Sequence, residues 1–184
     1  MTANDKTGVG AGSGEWRTPP ELFARLNRRF QFDYDAFASH DNALCELYST
    51  VDGTFYRAAD PVMYYGHETE DGLTFSWQDR RVFMNPPYTR GLIEKCVEKA
   101  YNERNDAAII VALIPAATET RWFQQYILPH CHIDWLPKRV VFIHPNFECG
   151  PKCQTGKRPH KLGEPGDDPP SGMVIATFKT ELMP

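Results

Sequence analysis

A sheet covered by helices on both faces is the architecture this sequence predicts, on three observations. The run AAIIVALI, Ala107 to Ile114, is apolar at every position, as a strand buried on both faces must be. Segments of helical periodicity alternate with strand-like runs through the middle of the chain, the pattern of a three-layer α/β fold. One strand-like run, RRVFM, is cut off by Asn85-Pro86-Pro87-Tyr88. Proline cannot donate to a β-ladder and fixes its own φ, so NPPY ends the strand and stiffens the corner after it. Open α/β sheets place their ligand chemistry at corners of this kind, at the carboxyl ends of strands.

In chain order, residues 1–14 are rich in Gly, Ser and Thr and predict a disordered tail. Their GVGAGSG looks like a nucleotide-binding glycine loop but has no strand before it. TPPELFARLNRRF carries a helix start, with Thr18 as N-cap, Pro19 at the first helical position and Glu21 three residues on from the cap. Leu22, Phe23 and Leu26 give that helix an apolar face. FQFDYDAFAS alternates Phe30, Phe32 and Tyr34 with polar partners, a short strand ending near Asp35. DNALCELY predicts one or two helical turns, and the stretch from Ser49 to Trp77 has no clear period and predicts irregular structure with room for a hairpin. LIEKCVEKAYNER puts Leu92, Ile93, Cys96, Val97 and Ala100 on one helical face. TETRWFQQYIL predicts a further helix with Trp122, Phe123, Tyr126 and Ile127 inward. HIDWL and RVVFI read as strands, and GMVIATFK as a last strand after a Pro-, Gly- and Lys-rich loop at 144–172.

With 184 residues, 41% of them hydrophobic, the chain can bury one real core, and the single domain expected is 15–184. The longest apolar stretch, Ala107 to Ala117, is too short to span a bilayer, and the first residues lack the basic-then-apolar order of a secretory signal. Five scattered cysteines, an odd number, suit a reduced, cytoplasmic protein. CGPKC, with His144 before it and His160 after, could supply a zinc set through Cys149 and Cys153. Its spacing is looser than a paired CxxC array and no second pair follows, so no metal is assigned. The net charge of -4 argues against a general nucleic-acid coat, yet steering depends on where charges sit. From Cys149 to Gly163 there are Lys152, Lys157, Arg158, Lys161 and His160, with no acidic residue.

NPPY at a strand end resembles the [DNS]-P-P-[YFW] motif of S-adenosylmethionine-dependent amino methyltransferases. TPPELFARL, FDYDAFAS, DNALCELY, DGLTFSWQDRRVFMNPPY, VALIPAATETRWF and PSGMVIATF, in that order, resemble the phage-type DNA N6-adenine methyltransferases of the Dam family, over roughly Glu15 to Phe178. The resemblance implies a Rossmann-like methyltransferase sheet and methyl transfer from S-adenosylmethionine to the exocyclic amine of an adenine flipped out of duplex DNA, in a bacterium or a phage-infected host. It makes Asn85, Pro86, Pro87 and Tyr88 the catalytic corner. The lone pair of an exocyclic amine is delocalised into the ring, and acceptors aimed at its hydrogens favour the lone pair turning toward the methyl. The Asn85 side-chain oxygen and the Pro86 carbonyl suit that role, Pro87 adds rigidity, and Tyr88 stacks on the base.

The same resemblance sets EWRTPP beside the methionine end of the cofactor, making Trp16, Thr18 and Pro19 candidates alongside the plain capping role of Thr18. DYDAFAS matches a strand end beside the cofactor, with Asp33 or Asp35 as acceptors and Ala36, Phe37 and Ala38 at the turn. The FxGxG form common in other amino methyltransferases is absent, and Phe37, Ala38 and Ser39 stand where glycines are expected. Lys138, Arg139, Lys152, Lys157, Arg158 and Lys161 are the DNA-facing candidates, since phosphate contacts call for cations. NPPY also occurs in methyltransferases of protein glutamine and of structured RNA, and a non-catalytic nucleic-acid module on a degenerate fold is the reading from another class.

Overall fold

The computed structural model describes residues 17–38, 42–50, 55–57, 72–89, 91–143 and 172–178. The expected tail at 1–14, Trp16, and the basic loop with Lys152, Lys157, Arg158, Lys161, Cys149 and Cys153 lie outside these residues.

The first helix, α1, spans Pro20–Phe30. Its N-cap is Pro19 rather than Thr18, with Pro20 at the first helical position, so the start lies one residue beyond the sequence expectation. Glu21 in the first turn and Arg28 and Arg29 in the last complement the helix dipole, and Phe23, Leu26 and Phe30 turn inward. Phe30 therefore closes a helix instead of opening a strand. The strands are β1 (Tyr34–Ala36), β2 (Leu47–Ser49), β3 (Phe55–Arg57), β4 (Arg81–Met84), β5 (Ile109–Pro115), β6 (Cys131–Trp135) and β7 (Met173–Phe178). They form one sheet in the order β3-β2-β1-β4-β5-β7-β6. β2, β1, β4 and β5 run parallel, and β3 and β7 are antiparallel to their neighbours.

The helical turns expected of DNALCELY are in fact strand β2, which pairs with β1 with Tyr34 opposite Leu47. Parallel partners are distant in sequence, and this pairing overrides local helix propensity. RVVFI forms no ladder among the described residues beyond a single antiparallel bridge between Ile143 and Arg17. Burial nevertheless alternates along it, with Val140 and Phe142 buried and Val141 exposed.

Side chains from alternate strand positions feed two cores. One face carries Tyr34, Ala36, Val82, Met84, Ile110, Ala112 and Ile114 against α2 (Leu92–Glu103), which buries Ile93, Cys96, Val97 and Ala100. Phe123 and Ile127 join them from a π-helical turn at Phe123–Ile127, closed by the Leu128 amide on the Phe123 carbonyl at 3.0 Å. The other face carries Phe83, Val111, Leu113 and Ile175 against Phe23, Leu26 and Phe30 of α1. β5 is apolar on both faces because it lies between the layers, and each such buried side chain contributes about 1.5–3 kcal/mol. No helix among the described residues is long and apolar enough to cross a membrane.

Candidate active site

The chain leaves β1 toward β2 on one side, and β4 lies on the other side. The strand order reverses there, so a crevice opens at the carboxyl ends of β1 and β4. Ala36 stands opposite Met84, so the next residues in line at the sheet's end are Phe37 and Asn85. The crevice is lined by Arg17, Thr18, Asp35, Phe37, Ala38, Asn42, Leu44, Phe83 and Asn85. The space between these walls, which opens to solvent, is about 230 Å³.

Phe37 explains how the turn forms without glycine. Its φ is 67°, the left-handed backbone a glycine would supply, and its ring is 5% exposed. The ring meets Trp77 edge-on with centroids 5.8 Å apart. Packing of the ring holds a backbone conformation that the residue type disfavours.

Asp35 is buried on the α1 face, and its Oδ2 accepts the Leu44 amide at 2.9 Å. Burial pushes its carboxyl up to about 7, against the opposing pull of that amide. A buried carboxylate of this kind is stabilised by a cation, and S-adenosylmethionine carries an ammonium and a sulfonium. The residues present therefore fit that group: Asp35 for positive charge, Thr18 and Asn42 for polar contacts, and Phe37, Leu44 and Phe83 for apolar surface. Of the other cofactor candidates, Ala36 is buried in the core on the α2 face, and Pro19 caps α1. Asp33 is exposed at the amino end of β1, where its Oδ1 accepts the Arg81 amide at 3.0 Å. Arg17 and Leu44 were not singled out from the sequence; Leu44 acts through its backbone N–H, which carries no side-chain signal.

The NPPY corner links β4 to α2. The Leu92 and Ile93 amides both donate to the Thr89 carbonyl, at 3.0 and 3.1 Å, and Gly91 turns the chain at φ 82°. Asn85 Nδ2 donates to Thr18 Oγ1 at 3.1 Å. The Tyr88 hydroxyl donates to Asn85 Oδ1 at 2.5 Å and lies 3.3 Å from the Leu113 carbonyl oxygen. Pro86 is buried, and its carbonyl takes no hydrogen bond among the described residues. The Tyr88 ring is half-buried, edge-on to Phe142 with centroids 6.1 Å apart, and burial raises its hydroxyl well above the usual tyrosine range. In this conformation Tyr88 occupies the Asn85 acceptor instead of standing free as a stacking platform. Lys138 and Arg139 are exposed on the segment that runs from β6 to the Arg17–Ile143 bridge. No group of three or more His, Cys, Asp or Glu side chains that could hold a metal occurs among the described residues.

The sheet is an α/β fold of the S-adenosylmethionine-dependent methyltransferase class. A model of the DNA N-6-adenine-methyltransferase (Dam) family matches residues 9–160, and the chain belongs to that family. It is also similar to a DNA N-6-adenine-methyltransferase of Escherichia phage T1, 30% identical over 122 residues. That match covers 66% of this chain and 44% of the phage protein, so the chain spans less than half the length of that relative.

Proposed function

We propose that this chain transfers a methyl group from S-adenosylmethionine to the exocyclic N6 amine of adenine in duplex DNA. The observation that carries the reading is Asn85 at the carboxyl end of β4, which lines the crevice that contains Asp35 while its carboxamide oxygen accepts from the Tyr88 hydroxyl. Membership of the family and the similarity to the phage DNA N-6-adenine-methyltransferase support the choice of adenine and of DNA.

S-adenosylmethionine, when bound, supplies a methyl group activated by a sulfonium leaving group. Asp35 holds positive charge in the crevice, and Thr18 and Asn42 line the same wall. Asn85 Oδ1 and the Pro86 carbonyl accept the two amine hydrogens, which turns the lone pair toward the methyl without a strong base. The Tyr88 hydroxyl hydrogen now sits where one amine hydrogen will sit, so an incoming base displaces it. The ring then swings from Phe142 and stacks on the base, contributing about 1–3 kcal/mol toward the cost of removing the base from the duplex.

Label transfer from methyl-tritiated S-adenosylmethionine tests this. Wild-type protein labels adenine in DNA, Asn85→Ala and Tyr88→Ala lose label by on the order of 100-fold or more, and Tyr88→Phe, which keeps the ring, retains most of it. Label found in RNA or protein instead of DNA would reassign the acceptor, and undiminished labelling by both alanine variants would remove the catalytic assignment.

A further inference from the structure

We infer that Thr18 is a positioning residue that orients the Asn85 carboxamide, turning its oxygen and not its nitrogen toward the target amine. This rests on the reading of Asn85 as an acceptor. A carboxamide has one accepting and one donating end, and a half-turn about χ2 would present N–H groups to an amine whose own hydrogens need acceptors. An aspartate has two like oxygens and no such problem, so the asparagine in this corner needs a device that chooses its orientation.

Tyr88 does not choose. Its hydroxyl donates to Asn85 Oδ1, but with the Leu113 carbonyl oxygen 3.3 Å away it could donate there and accept from a reversed amide. Thr18, on the other side, is rigidly mounted. It is 5% exposed; Arg17 before it exchanges both backbone hydrogen bonds with Ile143, each 3.0 Å, and Pro19 and Pro20 follow it. A residue before proline is held to extended backbone, which fixes where the Thr18 hydroxyl can reach. That hydroxyl receives Asn85 Nδ2 at 3.1 Å, and Thr18 also lines the crevice with Asp35. Any acceptor on the crevice side that takes the hydroxyl hydrogen leaves Oγ1 able only to accept, and the amide is then locked with Oδ1 outward. Binding in the crevice and readiness of the acceptor are thereby linked through one side chain.

The test compares Thr18→Val, which keeps the shape, with Thr18→Ser, which keeps the hydroxyl, in the full chain. With duplex DNA and S-adenosylmethionine saturating, Thr18→Val lowers kcat by on the order of tenfold, the cost of losing the hydrogen bond that orients the carboxamide, and Thr18→Ser restores it. Calorimetric Kd for S-adenosylmethionine rises by less than kcat falls, since Thr18 also lines the crevice, and KM for DNA stays within about twofold. The Asn85 side-chain amide pair in a ¹⁵N–¹H spectrum, assigned by its loss in Asn85→Asp, shifts in Thr18→Val and returns in Thr18→Ser. Thr18→Ala is read in the same way should Thr18→Val lose its fold. An unmoved amide pair with wild-type kcat overturns the inference, as does a Kd for S-adenosylmethionine raised tenfold at unchanged kcat, which would make Thr18 a cofactor ligand only. A wild-type chain that labels no adenine would sink the functional reading, whereas the spectra test the orientation without DNA.

Discussion

Asp35 has the most consequential side chain in the crevice, because burial and function pull it in opposite directions. Its carboxyl is raised from 3.8 to about 7, so the folded chain holds that proton more tightly than the unfolded chain. The resulting stabilisation is fully present below about pH 3.8 and is lost as pH rises through about 7. Asp35→Asn therefore flattens that part of the Tm-against-pH profile and is more stable than wild type at pH 8. On the proposed reading a cationic methyl donor binds the Asp35 carboxylate, so its affinity falls as pH drops below about 7 and proton release accompanies binding near neutrality. Calorimetry in buffers of different ionisation enthalpy reads that proton directly, and pH-independent affinity would remove Asp35 from the cofactor site. The sequence showed Asp35 and Asp33 as equals. Only the sheet separates them, putting Asp35 on the crevice wall and Asp33 on the Arg81 amide at the other end of β1. Thr18 was equally ambiguous in the sequence: it carries cap-forming chemistry, yet the helix begins a residue later and its hydroxyl goes to Asn85.

At the scale of elements, the β1 turn depends on Phe37 holding left-handed backbone while Gly72 makes room for its ring. A Cβ at Gly72 would stand 2.7 Å from Phe37 Cδ1 and 2.8 Å from Cε1, and that ring is already packed on Trp77. Gly72→Ala is expected to destabilise the chain by about 1–3 kcal/mol, seen as a lower thermal midpoint, and to weaken cofactor binding because Phe37 lines the crevice. An unchanged midpoint would mean the ring has room to move. β5 and α2 were legible because each carries its signal locally, as a continuous apolar run or a 3.6-residue stripe. The three-residue β2 was not, since its letters suit a helical turn and its strand character comes from a distant parallel partner. Nothing local in Phe37-Ala38 announces a left-handed turn, because phenylalanine rarely adopts one. TETRWFQQYIL was read as a helix, and its inward residues hold, but its middle winds as a π-helical turn that burial alone does not distinguish.

Over the whole molecule, a parallel centre flanked by antiparallel strands brings the carboxyl end of β6 to the same end of the sheet as NPPY. From there the segment to Ile143 returns to Arg17, with Phe142 beneath it against Tyr88 and Lys138 and Arg139 exposed along it. On the proposed reading this edge faces phosphates. Lys138→Ala and Arg139→Ala then weaken DNA binding about equally across sequences, each lowering the slope of log K against log salt by about one. A change confined to one sequence would argue for base contact instead. The measurement that bears most directly on the central claim is long-read modification mapping of DNA from cells expressing either wild-type chain or Asn85→Ala at equal levels of folded protein. N6-methyladenine in a defined sequence context with wild type, and its absence with Asn85→Ala, is the expected result. Unmodified adenine with wild type, or full methylation with Asn85→Ala, would contradict it.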